Sequence, residues 1–98
     1  MPDYIFLMHN DATELTRDAA WAPYLARLQT SGHLQGGSAI GPGLCVRKAG
    51  PTPATAGYLS GFMRVAADSL DHARTLVAGN PVFESGGTVE IRELPRTD

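Results

Sequence analysis

Ninety-eight residues with eight Lys+Arg against ten Asp+Glu carry a formal net charge of −2, which leaves no basic excess for phosphates and excludes charge-driven nucleic-acid binding. The hydrophobic share of 43% is that of an ordinary globular chain, and this length fits one domain, 1–98, with a modest core. A lone cysteine, Cys45, excludes an intramolecular disulfide, and with only three histidines it supplies no zinc-ligand spacing.

Lys48 is the single lysine and the arginines are scattered from Arg17 to Arg96, so no polybasic run addresses a membrane surface. The opening Met-Pro-Asp-Tyr-Ile lacks a basic leader, and the apolar run at 4–8 is too short for a signal segment or a membrane span. These features point to a cytoplasmic protein without a cofactor and without nucleic-acid or membrane partners.

In chain order, Tyr4-Ile5-Phe6-Leu7-Met8 is a short apolar run with aromatics and a β-branched residue, which predicts a strand buried on both faces. His9-Asn10-Asp11 leaves it as a loop. Over 18–31 the period changes: Trp21, Leu25 and Leu28 recur at helical spacing with Tyr24 beside them, Asp18 is a candidate N-cap and Gly32 a stop. Pro23 fits only in a first turn, which places the helix start nearer Ala20 or bends the helix there.

Residues 33–40 read as a weak strand whose Gly36-Gly37 pair suits a bulge or a close backbone approach. Gly41-Pro42-Gly43 signals a turn, 44–47 is a candidate edge strand, and 49–57 with Pro51 and Pro53 is a loop. Residues 58–66 form the next strand, with Phe62 and Arg64 on one face and Gly61, Met63 and Val65 on the other. Asp68 or Ser69 then caps a helix that runs to Ala78 and ends at Gly79-Asn80-Pro81. Residues 88–94 alternate cleanly, Val89 and Ile91 against Glu90 and Arg92, until Pro95 stops them.

This order predicts an α+β ferredoxin-like β-α-β-β-α-β sandwich with two helices on one face of an antiparallel sheet. Because the first strand is apolar on both sides, the uncovered face calls for a second copy, a homodimer with sheets facing.

Three stretches carry a family resemblance: Ser31-Gly32-His33-Leu34-Gln35-Gly36-Gly37-Ser38-Ala39-Ile40, then Gly61-Phe62-Met63-Arg64-Val65 followed by Ser69-Leu70-Asp71-His72-Ala73-Arg74, and the closing Gly86-Gly87-Thr88-Val89-Glu90-Ile91-Arg92. Together they resemble the YCII-related family, which includes the DGPF-type domains. The resemblance implies the same fold in its dimeric α+β barrel version. It also implies, for some relatives, a His and an Asp in a cleft serving lyase- or isomerase-like chemistry. Here the position of that His falls near Trp21, no acidic residue occurs from 19 to 67, and the Asp-Gly-Pro-Phe signature is absent. The resemblance therefore supports the fold and leaves open whether the chain is an enzyme.

Among side chains with chemical potential, His9 follows the first strand and is the candidate general base, or else a loop histidine bonded to backbone. His33 and His72 read as surface residues. Arg64, Glu90 and Arg92 share the face away from the helices, where they are either a structural ion-pair network or the lining of a polar cavity with Arg as a carboxylate clamp. Trp21 is core or dimer packing, or the apolar wall of a pocket. Cys45 has only Arg47 near it to activate a thiolate, and neither Gly36-Gly37 nor Gly86-Gly87 has the setting of a phosphate cradle. The leading expectation is a homodimer whose inter-sheet cavity holds a small, carboxylated molecule. The alternatives are a cofactor-free lyase or isomerase using His9, and an accessory protein–protein module.

Overall fold

The computed structural model describes residues 1–96. Along the first apolar run, Tyr4, Phe6 and Met8 are buried while Ile5 and Leu7 are half-buried, the period of two of a strand with one dry face. That strand, β1 (Asp3–His9), joins β2 (Leu34–Ala39), β3 (Leu59–Ala66) and β4 (Val89–Leu94) in one antiparallel sheet of order β2-β3-β1-β4. Three helices accompany it: α1 (Trp21–Thr30), α2 (Leu70–Thr75) and α3 (Pro81–Glu84). The core lies between sheet and helices, where Tyr4, Phe6, Met8, Met63 and Val65 meet Tyr24 and Leu28 of α1, Ala73 of α2 and Val82 of α3. The predicted ferredoxin-like α+β architecture is the observed one.

Several boundaries differ from expectation for local reasons. Asp18 does not cap a long helix: 18–20 is a single 3-10 turn, and α1 begins at Trp21 with no side-chain cap. Pro23 thereby falls in the first turn, where its missing N–H costs nothing. The helix after β3 starts at the expected Ser69 cap, whose side chain accepts from the His72 N–H, but it stops at Thr75 rather than Ala78. Residues 44–47 belong to no strand, and Leu44 and Val46 stand 79% and 87% exposed. The Gly36 bulge is present as expected, with φ 141° at the break in β2–β3 register between Leu34 and Gly36.

The short helix α3 is a further departure. Asn80 is fully buried, and its Oδ1 accepts from the N–H groups of Val82 at 2.9 Å and Phe83 at 3.2 Å. With Pro81 in the first turn, this is a helix start rather than a plain turn. Asn80→Ala is expected to cost about 2 kcal/mol, the upper end for a lost N-cap, because the released N–H of Val82 stays buried. Urea unfolding followed by circular dichroism measures it as a lower midpoint at unchanged slope.

Helix α1 is tied across the core by the Tyr24 hydroxyl, which donates to the Leu76 carbonyl at 2.8 Å. Arg27 lies over the Tyr24 ring, 5.6 Å from its centroid, and donates to the Ala78 carbonyl. The sheet's other face carries Ile5, Leu7, Phe62 and Leu94, all half-buried, interspersed with Arg64, Glu90 and Arg92.

Candidate functional site

The registers decide which side chains meet. Gly61 pairs with Met8 and with Ala39, while Met63 pairs with Phe6 and with Gly37. Gly37, Ala39, Gly61 and Met63 therefore all face the helices. Three of these four carry a methyl or nothing, so the layer between α1 and the β2–β3 edge of the sheet is not filled from below. From above, Trp21 and Leu25, one turn apart on α1, overhang the gap.

The result is a cavity of about 640 Å³. Trp21, Leu25, Leu34, Met8, Met63 and Val82 supply its apolar lining, Thr16 adds a polar side chain, and Ser38 and Ser60 border it from strand positions that alternate with the helix-facing ones. Among the described residues, no Asp, Glu, His, Lys or Arg lines it. Gly37 and Ala39 remain exposed on this side, so the cavity opens to solvent along β2.

The opposite face holds a different group. A register break between Met8 and His9 ends the regular β1–β3 pairing. His9 follows Leu7 on the same face and reaches diagonally to Glu90 of β4, with Nε2 2.9 Å from Oε1. The other Glu90 oxygen accepts from Arg92 at 3.2 Å. His9 and Glu90 are 21% and 33% exposed, and the Tyr58 ring meets the His9 ring edge-on with centroids 5.0 Å apart. The His9 hydrogen bond, then that of Arg92, holds the Glu90 carboxyl below its ordinary value. Arg64 stays outside this network: it is exposed, and its Nη2 donates to the Gln35 carbonyl at 3.3 Å.

Next to it, Asp11 accepts from the Thr88 hydroxyl at 2.7 Å and the Thr88 N–H at 2.8 Å, which pull its carboxyl down in that order. Glu90 and Asp11 start from ordinary values of 4.5 and 3.8, and both are lower in the fold. The unfolded chain therefore takes up these protons first as pH falls. Their stabilisation is present above about pH 4.5 and is lost as pH drops through the folded values. Asp11→Asn is expected to lower the melting temperature at neutral pH and to shrink the loss between about pH 5 and about pH 3, read by thermal melts.

The sequence-derived candidates are thus divided. His9, Glu90 and Arg92 come together, Arg64 shares their face at a distance, and Trp21 lies across the sheet in the helix-side cavity. Gly37, Ala39, Gly61, Leu25 and Leu34 were not singled out as site residues. The signal available for them was the run of small residues at alternate positions in two strands.

His33 and His72 meet edge to face with centroids 5.0 Å apart, but each is occupied locally. His33 Nδ1 donates to the Ala66 carbonyl at 2.8 Å, and His72 Nδ1 accepts from the Asp68 N–H at 2.9 Å. Among the described residues no three His, Cys, Asp or Glu side chains converge as a metal site, and no helix is long and apolar enough to cross a membrane.

No curated protein matches the chain in sequence. Among solved structures it is similar to the 5-chloro-2-hydroxyhydroquinone dehydrochlorinase of Burkholderia phenoliruptrix, solved in complex with 2,5-dihydroxybenzoquinone. The two share 19% identity and a TM-score of 0.55 over 99% of this chain and 96% of that one, a likeness of fold. The YCII-related domain model matches residues 3–97. Sheet order, helix placement and that match agree, and the chain belongs to the YCII-related family.

Proposed function

We propose that the protein binds a compact, mostly apolar small molecule in the cavity between α1 and the β2–β3 edge, and that it does so as a homodimer joined through the open sheet face. The observation that carries the binding reading is the cavity's lining: about 640 Å³ of largely apolar space with no titratable group. That volume lies within the range of about 300–1,000 Å³ usual for small-molecule sites. Lacking a base or an acid, the cavity can hold and orient a ligand but cannot itself move a proton. The similar dehydrochlorinase was solved with a single-ring compound, which accords with a ligand of this size.

The homodimer is supported by Ile5, Leu7, Phe62 and Leu94, which leave a contiguous apolar surface half-covered in a single copy. Binding is tested by titrating 4-methylphenol while following the emission of Trp21, the only tryptophan in the chain. A saturable change is expected. A response that stays linear up to the solubility of the probe removes the reading.

A second reading is favoured by the 2.9 Å contact between His9 and Glu90. An ionised carboxylate accepts only, so neutral His9 carries its proton on Nε2 and leaves Nδ1 as a base. Arg92 and Arg64 on the same face suit a carboxylate, which supports the reading of a cofactor-free isomerase or lyase acting between two facing sheets. This reading expects exchange of solvent deuterium into phenylpyruvate to be accelerated by the protein and lost in His9→Gln. Equal exchange rates for the two proteins would remove it.

A further inference from the structure

We infer that the helix-side cavity selects planar, uncharged rings, and that Gly61 sets this selectivity. The inference rests on the binding reading and narrows it. Its first support is the cavity floor. Gly37, Ala39 and Gly61 adjoin one another across the β2–β3 pair and all face the helices, so this part of the floor is peptide plane, with the Met8 and Met63 side chains beside it. A side-chain-free patch of floor with Trp21 in the opposite wall suits the face of a ring. Trp21 is itself held by Tyr24, whose ring meets it edge-on with centroids 6.1 Å apart, so the overhang is not free to rotate away. A saturated ring is thicker than an aromatic one and fills such a gap with strain.

Charge is the second support. With no cationic or anionic side chain in the lining, an ionised ligand would give up its hydration without a partner. The chemical class that meets both conditions is a neutral single-ring aromatic, of which a phenol is a soluble representative.

Gly61 is the position that distinguishes this from a general greasy cavity. A Cβ there would lie 3.2 Å from the Ser38 carbonyl oxygen and 3.4 Å from the Met8 methyl, a tight but small adjustment. The added methyl would rise from the floor into the plane the ring occupies. A Cβ at Gly37, by contrast, would collide with backbone at 2.5 Å, so that glycine serves the strand pairing as well.

The experiment is isothermal titration of the whole protein with 4-methylphenol, 4-methylcyclohexanol and 4-methylbenzoate, repeated on Gly61→Ala and Leu25→Ala, with melts to confirm that each variant folds. Wild type is expected to bind the phenol at least about tenfold tighter than either analogue. Gly61→Ala is expected to lose at least about tenfold for the phenol, and Leu25→Ala, by raising the overhang, to narrow the gap between phenol and saturated alcohol. Equal affinity for 4-methylcyclohexanol overturns the planar slot and leaves the cavity standing. Equal affinity for 4-methylbenzoate overturns the exclusion of charge. Unchanged phenol-to-alcohol selectivity in both variants overturns the role of the floor and overhang, and no binding of any probe to wild type overturns the binding reading itself.

Discussion

Phe6→Ala is expected to lower the free energy of unfolding by about 3–5 kcal/mol, a cost that is the same at every protein concentration if the folded monomer survives as the reference. Phe6 has no exposed surface and sits mid-strand in β1, flanked on the same face by Met63 of β3 and Ile91 of β4. Removing its ring opens a cavity that neighbouring strands, locked by their ladders, cannot collapse into. For a chain of this size that loss is a large share of a total stability of about 5–15 kcal/mol.

The adjacent Leu7 gives the complementary test. It points the other way, between Phe62 and Glu90 on the open face. Leu7→Lys leaves the helix-side core intact, and in a single copy the new ammonium has water and the Glu90 carboxylate beside it. Buried between two facing sheets, the same charge has no such outlet. Sedimentation equilibrium is expected to show a dimer for wild type and a monomer for Leu7→Lys, with unchanged circular dichroism. A Leu7→Lys protein that still sediments as a dimer moves the interface away from this face.

How far these features could be read in advance depends on whether they are local. The alternation of Val89 and Ile91 with Glu90 and Arg92 is a property of six consecutive residues, so the faces of β4 followed from period alone. Arg64 could be added to that face because its own strand alternates too. Trp21, Tyr24, Leu25 and Leu28 marked the buried side of α1 in the same way.

The pairing of His9 with Glu90, 81 residues apart, is of another kind. It exists because β4 and not β2 lies next to β1, and because the β1 pairing shifts register at its end. The cavity is harder still to foresee, since it is built from what Gly37, Ala39 and Gly61 lack. Those positions become neighbours only through the β2–β3 register, across a segment at 40–58 with no regular structure of its own. Trp21 was recognisable as a buried or pocket-wall aromatic. Which side of the sheet it served depended on where α1 docks, and the Tyr24 and Arg27 bonds to the carbonyls after α2 determine that.

Gly37→Val is expected to damage edge strand and cavity together, and so to show whether the two are one structure. The glycine's φ is not in the left-handed region, so the penalty is steric and not conformational. Its Cβ would lie 2.5 Å from the Phe62 carbonyl oxygen, 3.0 Å from Met63 Cα and 3.3 Å from Met63 Cγ, and two of these three atoms are backbone. Relief requires β2 to move away from β3. Overpacking in a core costs about 1–3 kcal/mol, and at this exposed edge position the strain is relieved by lost pairing.

Amide exchange is therefore expected to quicken in β2 and at its partners in β3, while β1 and β4 keep their protection. Gly43→Ala serves as the control, because a Cβ at that position meets nothing within 4 Å and stability should change by less than about 0.5 kcal/mol. The functional consequence follows from geometry. With β2 displaced, the floor under Trp21 and Leu25 is broken, and 4-methylphenol binding should disappear even at temperatures where the rest of the protein is folded. Should the phenol bind Gly37→Val as it binds wild type while β2 exchanges freely, the ligand does not lie between α1 and this edge, and the open face with His9 and Glu90 becomes the place to look.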